Sequence, residues 1–238
     1  MKVVVLCGGE GTRVSSILKN TPKVLAKFNG KTFLEIQLEY LNKFRNIQEV
    51  LLLTGVGGDL VLKEVEVIKS KFNFYISVES DELGKQGTAN ALINAYNRKK
   101  ISSNFILLFG DSLPQVDLND IISRFLTSRQ DIGMTYISPT LVKETGRIEL
   151  LKDRIFYWND LSGQGDDLFV DYGVTYMTTN LMKEYQDSGI NDLKVLLQII
   201  THNHICNGIE VKNPFIEIGN VNSLLNAQMI FGKIEVGG

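Results

Sequence analysis

The chain has few of the residues that mark secreted, membrane-spanning or metal-cluster proteins. Its two cysteines, Cys7 and Cys206, stand far apart and lack the spacing of a disulfide framework or a zinc site. No apolar run approaches the roughly 18 to 20 residues of a membrane-spanning helix. Glu10, Arg13 and Lys19 interrupt the N-terminal segment, where a signal peptide would be apolar. We therefore expect a cytoplasmic chain with reduced thiols and no membrane partner.

The chain also has few prolines and no segment with the composition of a linker, so the sequence shows no domain boundary. The chain contains only four prolines, and it has no Ser/Gly-rich tract or repeat that would mark a boundary. Apolar residues make up 44% of the 238 positions and charged residues 22%, so the chain can bury a sizeable core. One domain over residues 1–238 is the expected organisation.

Net charge excludes one partner class and its distribution suggests another. A formal net charge of −2 argues against a general nucleic-acid partner, because phosphate-backbone binding normally needs a basic surplus. The first 31 residues, however, contain six basic residues and only one acidic residue, Glu10. This basic N-terminal segment suggests a local anion site, although ordinary solvated lysines would give the same count.

Alternating strand-like and helix-like segments predict an α/β fold. Short β-branched runs favour buried parallel strands at 2–6, 49–54, 73–78, 104–109 and 132–137, and amphipathic patterns favour crossover helices at 33–44, 59–71, 87–98 and 117–128. Later segments favour strands at 146–150, 154–158 and 168–178, with helices at 179–186, 191–202 and 221–231. We predict a Rossmann-like three-layer sandwich whose mostly parallel mixed sheet has an antiparallel extension in the second half. Ligands of such sheets bind beyond the strands' carboxyl ends, here the loops 7–16, 55–58, 79–88 and 110–116.

A glycine-rich loop follows the first strand directly. Its sequence is Cys7-Gly8-Gly9-Glu10-Gly11-Thr12-Arg13, in which the glycines let backbone N–H groups approach an anion closely. Val14 occupies the place of the third glycine of a dinucleotide fingerprint, and the Lys-Ser/Thr pair of a P-loop is absent. The loop therefore indicates either an anion site of another kind or a plain tight turn.

The segments after this loop resemble those of the sugar-1-phosphate nucleotidyltransferases, also called nucleotide-sugar pyrophosphorylases. That family opens with Gly-Gly-x-Gly-Thr-Arg, a spacer, Pro-Lys, and a short glycine-containing turn before a helix. Here Thr21-Pro22-Lys23 and Asn29-Gly30-Lys31 supply the later parts. Within the family, the sequence is most similar to heptose 1-phosphate guanylyltransferase-like members. The resemblance continues in family order through segments 82–89, 108–112, 146–149, 171–174 and 215–219.

This resemblance implies a role for each matching residue. Residues 1–137 would form a nucleotide-binding half and residues 138–238 an acceptor-binding half. Arg13 and Lys23 would be catalytic, and Asp111 and Glu217 would hold a Mg²⁺ cofactor. The nucleotide would be bound by Cys7, Gly8, Gly9, Gly11, Thr12, Gln86, Gly87, Thr88 and Gly110. The acceptor would be bound by Gly146, Arg147, Asp171, Tyr172 and Gly173.

The implied reaction joins a nucleoside triphosphate to a heptose or hexose 1-phosphate and releases pyrophosphate. GTP is favoured by resemblance, with CTP, UTP and dTTP left open, as is assembly into a homo-oligomer. Three departures from the family keep alternatives open: Glu217 replaces the usual aspartate, a Glu-Lys-Pro segment is missing near 155–160, and Asp171-Tyr172 replaces a smaller pair. One alternative is the same chemistry on a small non-sugar phosphate or phosphonate. Another is a catalytically silent nucleotide-sugar-binding regulator.

Several of these residues also have ordinary structural interpretations. Asp111 could cap a helix, and Tyr172 and the lone Trp158 could pack in the core. The run His202-Asn203-His204, close to Cys206, is interpreted as an ordinary loop rather than a metal cluster.

Overall fold

The computed structural model describes residues 1–8, 14–19, 21–80, 87–142, 144–160 and 168–235. These residues form two compact units. The first contains the described parts of Met1–Lys85, Leu108–Leu113 and Ile216–Gly238, and the second those of Gln86–Leu107 and Pro114–Phe215. The boundaries of these units differ from those of the predicted halves 1–137 and 138–238, because residues 87–107 and 114–137 belong to the second unit and residues 216–235 to the first.

Strands and helices alternate along the described chain. The strands are β1 (Lys2–Leu6), β2 (Lys27–Phe28), β3 (Lys31–Thr32), β4 (Glu49–Thr54), β5 (Tyr75–Ser80), β6 (Phe105–Phe109), β7 (Ser112–Leu113), β8 (Ile132–Ile137), β9 (Ile148–Leu151), β10 (Arg154–Tyr157), β11 (Val170–Met177), β12 (Cys206–Val211), β13 (Ile216–Glu217) and β14 (Ile234–Glu235). The helices are α1 (Ser15–Leu18), α2 (Phe33–Leu41), α3 (Gly58–Ile68), α4 (Thr88–Asn97), α5 (Leu118–Ser128), α6 (Thr179–Tyr185), α7 (Leu193–Asn203) and α8 (Val221–Phe231). None of the described helices is long and apolar enough to cross a bilayer.

The first unit is built on parallel strands. Its strands β5, β4 and β1 lie in that order, with parallel pairing between neighbours, and β6 follows β1 in the order. All five residues of β1 are buried, as expected for a parallel strand covered on both faces. Two small ladders complete the unit: β7 pairs with β13, and β2 lies between β3 and β14. The β7–β13 ladder is antiparallel; it contains the predicted site residue Glu217, and Asp111 immediately precedes it.

The second unit contains the antiparallel extension. From β6 its strand order continues β11, β8, β12, β10 and β9. The β11–β8, β10–β12 and β10–β9 pairs are antiparallel, whereas β12 runs parallel to β8. The prediction of a mostly parallel strand series followed by an antiparallel extension is therefore confirmed.

Local signals account for most helix starts. The side chains of Thr32, Asp117, Thr178, Asp192 and Asn220 each accept a hydrogen bond from a backbone N–H in the first turn of the helix that follows. Such caps satisfy donors that an α-helix leaves without an intrahelical partner. Each of these helices consequently begins within two residues of the start that the amphipathic pattern predicts.

The interpretation of 202–204 as an ordinary loop is wrong. His202 and Asn203 form the last residues of α7, and Cys206 opens the buried strand β12. Arg154 of β10 explains how the helix ends here, since its Nη2 atom donates to the carbonyl oxygens of His202 at 3.3 Å and His204 at 3.0 Å. A cation at a helix C-terminus interacts favourably with the carbonyl groups that the last turn leaves unpaired.

We predict that Arg154→Met lowers the free energy of unfolding by about 1 to 2 kcal/mol, because charge-assisted hydrogen bonds to the end of α7 are lost. Urea unfolding followed by far-UV circular dichroism measures the change. Arg124→Met is the matched control, since Arg124 forms an exposed pair with Asp120 at 3.8 Å. Equal unfolding midpoints for the two variants would contradict the capping role of Arg154.

Candidate functional site

Within the first unit, the carboxyl ends of β1, β4 and β6 approach one another closely. The backbone N–H of Gly110 donates to the carbonyl oxygen of Leu6 at 2.9 Å. A side chain at Gly110 would collide with this contact, because a Cβ atom there would lie 2.7 Å from Leu6 O and 3.1 Å from Cys7 Cα. Gly8 is packed in the same way against the backbone of Gly55. Gly8 and Gly110, two of the glycines predicted at the nucleotide site, thus lie too close to neighbouring backbone for a side chain to fit.

Lys23 and Asp111 come together in this unit. Lys23 opens a short 3₁₀ turn after Pro22, and Asp111 follows β6. The Nζ atom of Lys23 donates to Asp111 Oδ2 at 2.5 Å, with the lysine side chain 17% exposed and the aspartate side chain 31% exposed. The structure therefore joins the predicted catalytic lysine to the predicted metal ligand, although 88 positions separate them.

Glu217 lies beside this pair. In the β7–β13 ladder it is the register partner of Ser112, and the N–H of Ile218 donates to the carbonyl oxygen of Asp111 at 2.9 Å. A methyl group placed on Gly219 would lie 3.5 Å from Asp111 Oδ2 and 3.6 Å from Glu217 Oε2. Both carboxylates consequently border the same small space.

This donor set suits a hard divalent cation. Carboxylate oxygens are preferred ligands of Mg²⁺, which usually takes one or two of them and completes its shell with water and substrate phosphates. Among the described residues no cluster of three or more His, Cys, Asp or Glu side chains forms a closed metal cage. Asp111 and Glu217 thus have the chemistry of an open site that is completed by a ligand.

The thiol of Cys7 is not a nucleophile in this setting. Burial and, to a smaller extent, the negative charge of Asp111 together raise its pKa from 9.0 to about 12. A neutral, buried thiol has little nucleophilic or metal-binding capacity. The contribution of Cys7 to the site is the path of its backbone, whose N–H donates to the carbonyl oxygen of Leu53 at 2.8 Å.

One contributor to the site was missed by the sequence reasoning. Asn220 donates from Nδ2 to Glu217 Oε1 at 3.0 Å and also caps α8 through its side-chain oxygen. An asparagine immediately before a helical pattern is a recognisable N-cap signal. That signal predicts the start of α8, but it does not reveal the second bond to a carboxylate three residues earlier.

The other predicted site residues that the structure describes lie in the second unit. Gly87 has a φ of 79° at the start of α4, and the hydroxyl oxygen of Thr88 accepts from the N–H of Leu193 at 3.2 Å. Arg147 donates from Nη1 to the carbonyl oxygens of Trp158 at 3.2 Å and Asn159 at 2.7 Å. Gly146 is buried, with no room for a Cβ atom beside the backbone of residue 168. Arg147 and Thr88 therefore form hydrogen bonds within the protein, and their acceptor-binding and nucleotide-binding roles stay predictions.

Two aromatic residues of this unit are held by packing. Tyr172 is 1% exposed, its hydroxyl oxygen accepts from the N–H of Gln115 at 2.8 Å, and its ring meets Phe215 edge-on. Trp158 donates from Nε1 to Glu149 at 3.0 Å and packs against His202. The burial of Tyr172 favours the core interpretation that the sequence left open for it, whereas Trp158 is only partly buried.

Asp171, the neighbour of Tyr172, has a carboxyl group whose pKa is raised above its ordinary value. Burial raises its pKa from 3.8 to about 6, and a hydrogen bond from the N–H of Gly173 at 2.9 Å lowers it by a smaller amount. Gly173 has a φ of 87°, a conformation that favours glycine. The turn at Gly173 therefore aims its N–H at the Asp171 side chain.

Five predicted residues lie outside the described part of the chain. These are Gly9, Gly11, Thr12, Arg13 and Gln86. Their nucleotide-binding and catalytic roles stay predictions.

Comparison with known proteins places this geometry in context. The nucleotidyl transferase family matches residues 2–147, which is more than half of the chain. Two curated relatives are D-glycero-alpha-D-manno-heptose 1-phosphate guanylyltransferases, from Campylobacter jejuni and Aneurinibacillus thermoaerophilus. They are 34% identical over 124 residues and 30% identical over 134 residues, covering 51% and 56% of this chain. The matched segments span about half the length of these relatives, 52% and 56%.

The fold is shared along almost the whole chain. Two crystal structures of HddC from Yersinia pseudotuberculosis, the second complexed with GMP-PN, are 21% and 22% identical to this chain, with TM-scores of 0.78 and 0.79. In both comparisons the alignment covers 97% of this chain and 99% of the other. This likeness confirms the Rossmann-like α/β fold, and the residues matched over 2–147 establish that the chain belongs to the nucleotidyl transferase family.

Proposed function

We propose that the protein transfers a nucleotidyl group from a nucleoside triphosphate to a heptose or hexose 1-phosphate and releases pyrophosphate. The observation that carries the proposal is the Lys23–Asp111 ion pair with Glu217 beside it. One cation and two hard-oxygen ligands at the carboxyl end of a parallel strand match the needs of a polyphosphate substrate. The family membership and the heptose 1-phosphate relatives support the same reaction class.

The reaction requires two anions to meet. A phosphate oxygen of the sugar 1-phosphate attacks the α-phosphorus, a new P–O bond forms, and the bond to the β-phosphate breaks with pyrophosphate leaving. The attacking oxygen is already ionised at neutral pH, so no strong general base is needed, and catalysis rests on positioning and charge neutralisation. Lys23 supplies a positive charge at the carboxylate of Asp111. Arg13 is proposed to bind the triphosphate.

The carboxylate pair fits a magnesium ion. When bound there, Mg²⁺ would neutralise phosphate charge and polarise the α-phosphate. Asp111 and Glu217 are the residues that would hold it, and Lys23 is the residue that would contact a phosphate oxygen. Glu217 keeps the oxygen chemistry of the usual aspartate with one more methylene, and its Oε1 atom is held by Asn220.

The base and the acceptor are proposed from the relatives. Both heptose relatives are named guanylyltransferases, which favours GTP over CTP, UTP or dTTP. A panel of these four triphosphates against heptose, mannose and glucose 1-phosphates and small non-sugar phosphates, with pyrophosphate release and product mass measured, tests the proposal. Turnover only with non-sugar phosphates would select the other acceptor class. Nucleotide-sugar binding without turnover would identify a silent regulator.

We predict that Lys23→Ala lowers kcat/KM by roughly 10² to 10³-fold, because the charge that stabilises the transition state is removed. Steady-state pyrophosphate release measures the effect. Lys27→Ala is the matched control, since Lys27 is an exposed lysine of the same basic segment. A Lys23→Ala variant as active as Lys27→Ala would exclude a catalytic role for Lys23.

We also predict that Glu217→Gln raises the Mg²⁺ concentration for half-maximal activity at least about tenfold, because a charged oxygen ligand is lost. Glu217→Asp keeps the charge and is expected to retain more of the wild-type response. Magnesium titrations of the initial rate measure both, with the exposed Glu210→Gln as control. An unchanged magnesium response in Glu217→Gln would show that Glu217 does not bind the ion.

A further inference from the structure

A buried glutamine lies directly behind the Asp111 segment. Gln37 belongs to α2 and is 0% exposed, which is unusual for a long polar side chain. Burying a carboxamide is unfavourable unless its hydrogen-bonding groups find partners. The partners of Gln37 therefore indicate why this residue stands in the core.

The amide nitrogen of Gln37 makes two hydrogen bonds that bracket Asp111. Its Nε2 atom donates to the carbonyl oxygen of Phe109 at 2.9 Å and to that of Ser112 at 2.7 Å. These two residues stand on either side of the Gly110–Asp111 step. The two hydrogens of the Gln37 carboxamide thus bind the two ends of the segment 109–112. Because the side chain is fully buried, the surrounding core restricts its rotation.

The orientation of this amide follows from its surroundings. Turning it over would direct Oε1 of Gln37 at two carbonyl oxygens, which have no hydrogen to offer. In the observed orientation Oε1 is buried and has no hydrogen-bond partner among the described residues. The side chain therefore leaves one acceptor unsatisfied while both of its donor hydrogens are used on the Asp111 segment.

The same contact extends to Glu217. Ser112, whose carbonyl oxygen Gln37 holds, is the ladder partner of Glu217, and the carbonyl oxygen of Asp111 accepts from Ile218. Fixing the backbone of residues 109–112 consequently fixes the strand that carries the second carboxylate. A single side chain in α2 restrains both residues of the carboxylate pair.

We infer that Gln37 is a positioning residue for the Asp111–Glu217 pair and sets the affinity of that pair for a divalent cation. The inference rests on the metal role given to this pair in the proposed function. Gln37 touches neither carboxylate, so it acts through the backbone of residues 109–112. Groups that orient metal ligands from outside the coordination shell typically change metal affinity or activity about 10 to 100-fold when removed.

Gln37→Met tests the inference, because methionine keeps the length of the side chain and removes the two donor hydrogens. The probe is Mn²⁺, whose binding to the intact protein is measured by electron paramagnetic resonance with and without GTP. We expect the Mn²⁺ dissociation constant to rise about 10-fold or more. Ile68→Val, a buried substitution in α3, is the control for general loosening of the same unit and is expected to leave Mn²⁺ affinity within about twofold of wild type.

A second measurement detects loss of positioning without any metal. Hydrogen exchange followed by mass spectrometry reports the Ile218 N–H, which is bonded to the carbonyl oxygen of Asp111. We expect faster exchange in peptides covering 214–219 of Gln37→Met, and no such change in Ile68→Val. Both comparisons are made well below the unfolding temperature of either variant.

The outcomes separate this inference from the proposed function. Gln37→Met binding Mn²⁺ as tightly as Ile68→Val, with unchanged exchange at 214–219, would overturn the positioning role. Wild-type protein that binds Mn²⁺ but forms no nucleotide sugar would overturn the proposed reaction, while the Gln37 comparison still decides the positioning role. Wild-type protein that binds no Mn²⁺ would overturn the metal role of the pair and, with it, this inference.

Discussion

The half-buried ion pair between Lys23 and Asp111 is the interaction on which the site depends. Moving two opposite charges partly out of water has a desolvation cost that their attraction recovers only in part, so such a pair is a poor source of stability. Its arrangement is better explained by what can replace each partner. Under the proposed function, a substrate phosphate would take the place of Asp111 beside the lysine, and a divalent cation would take the place of Lys23 beside the aspartate.

Two features of the first unit make this pair feasible. Gly110 lets the end of β6 lie against the backbone at Leu6 and Cys7, so that Asp111 follows directly at the carboxyl end of parallel strands. Pro22 and the 3₁₀ turn that follows it bring Lys23 to the same place from a segment near the N-terminus. Lys23 is thus not simply solvated, and two other lysines of the basic N-terminal segment, Lys2 and Lys31, also pair with glutamates.

Much of this arrangement was predictable from local sequence signals. Hydrophobic runs located β1, β4 and β8 to the residue, because buried strands of such a sheet are mostly apolar. The strand β12 was missed, since its sequence Cys206-Asn207-Gly208-Ile209-Glu210-Val211 has little of that character, and its place between β8 and β10 is decided by pairing with distant residues. Side-chain burial at Tyr172 was equally beyond a local pattern, because Gln115 and Phe215 supply its contacts.

The site shows the same division between local and distant information. A resemblance identified Lys23, Asp111 and Glu217, but it carried no information about the residues that hold them. In the sequence, Gln37 is an ordinary position of an amphipathic helix. Only the tertiary structure shows that its amide donates hydrogen bonds to the carbonyl oxygens of residues 109 and 112. Supporting contacts of this kind join segments far apart in the chain, so periodicity and spacing do not reveal them.

The longer acid at position 217 is accommodated by its neighbour. An added methylene gives a glutamate more rotational freedom than an aspartate, and that freedom would weaken a metal site unless the carboxylate were restrained. Asn220 supplies the restraint, because its Nδ2 atom holds Glu217 Oε1 while its Oδ1 atom accepts from the N–H of Ser223 at the start of α8. The carboxylate is thereby tied to a helix end that is itself capped, and its other oxygen is left on the side of Asp111. A glutamate at this position can consequently be as well placed as the usual aspartate, provided that residue 220 keeps both an amide donor and an amide acceptor.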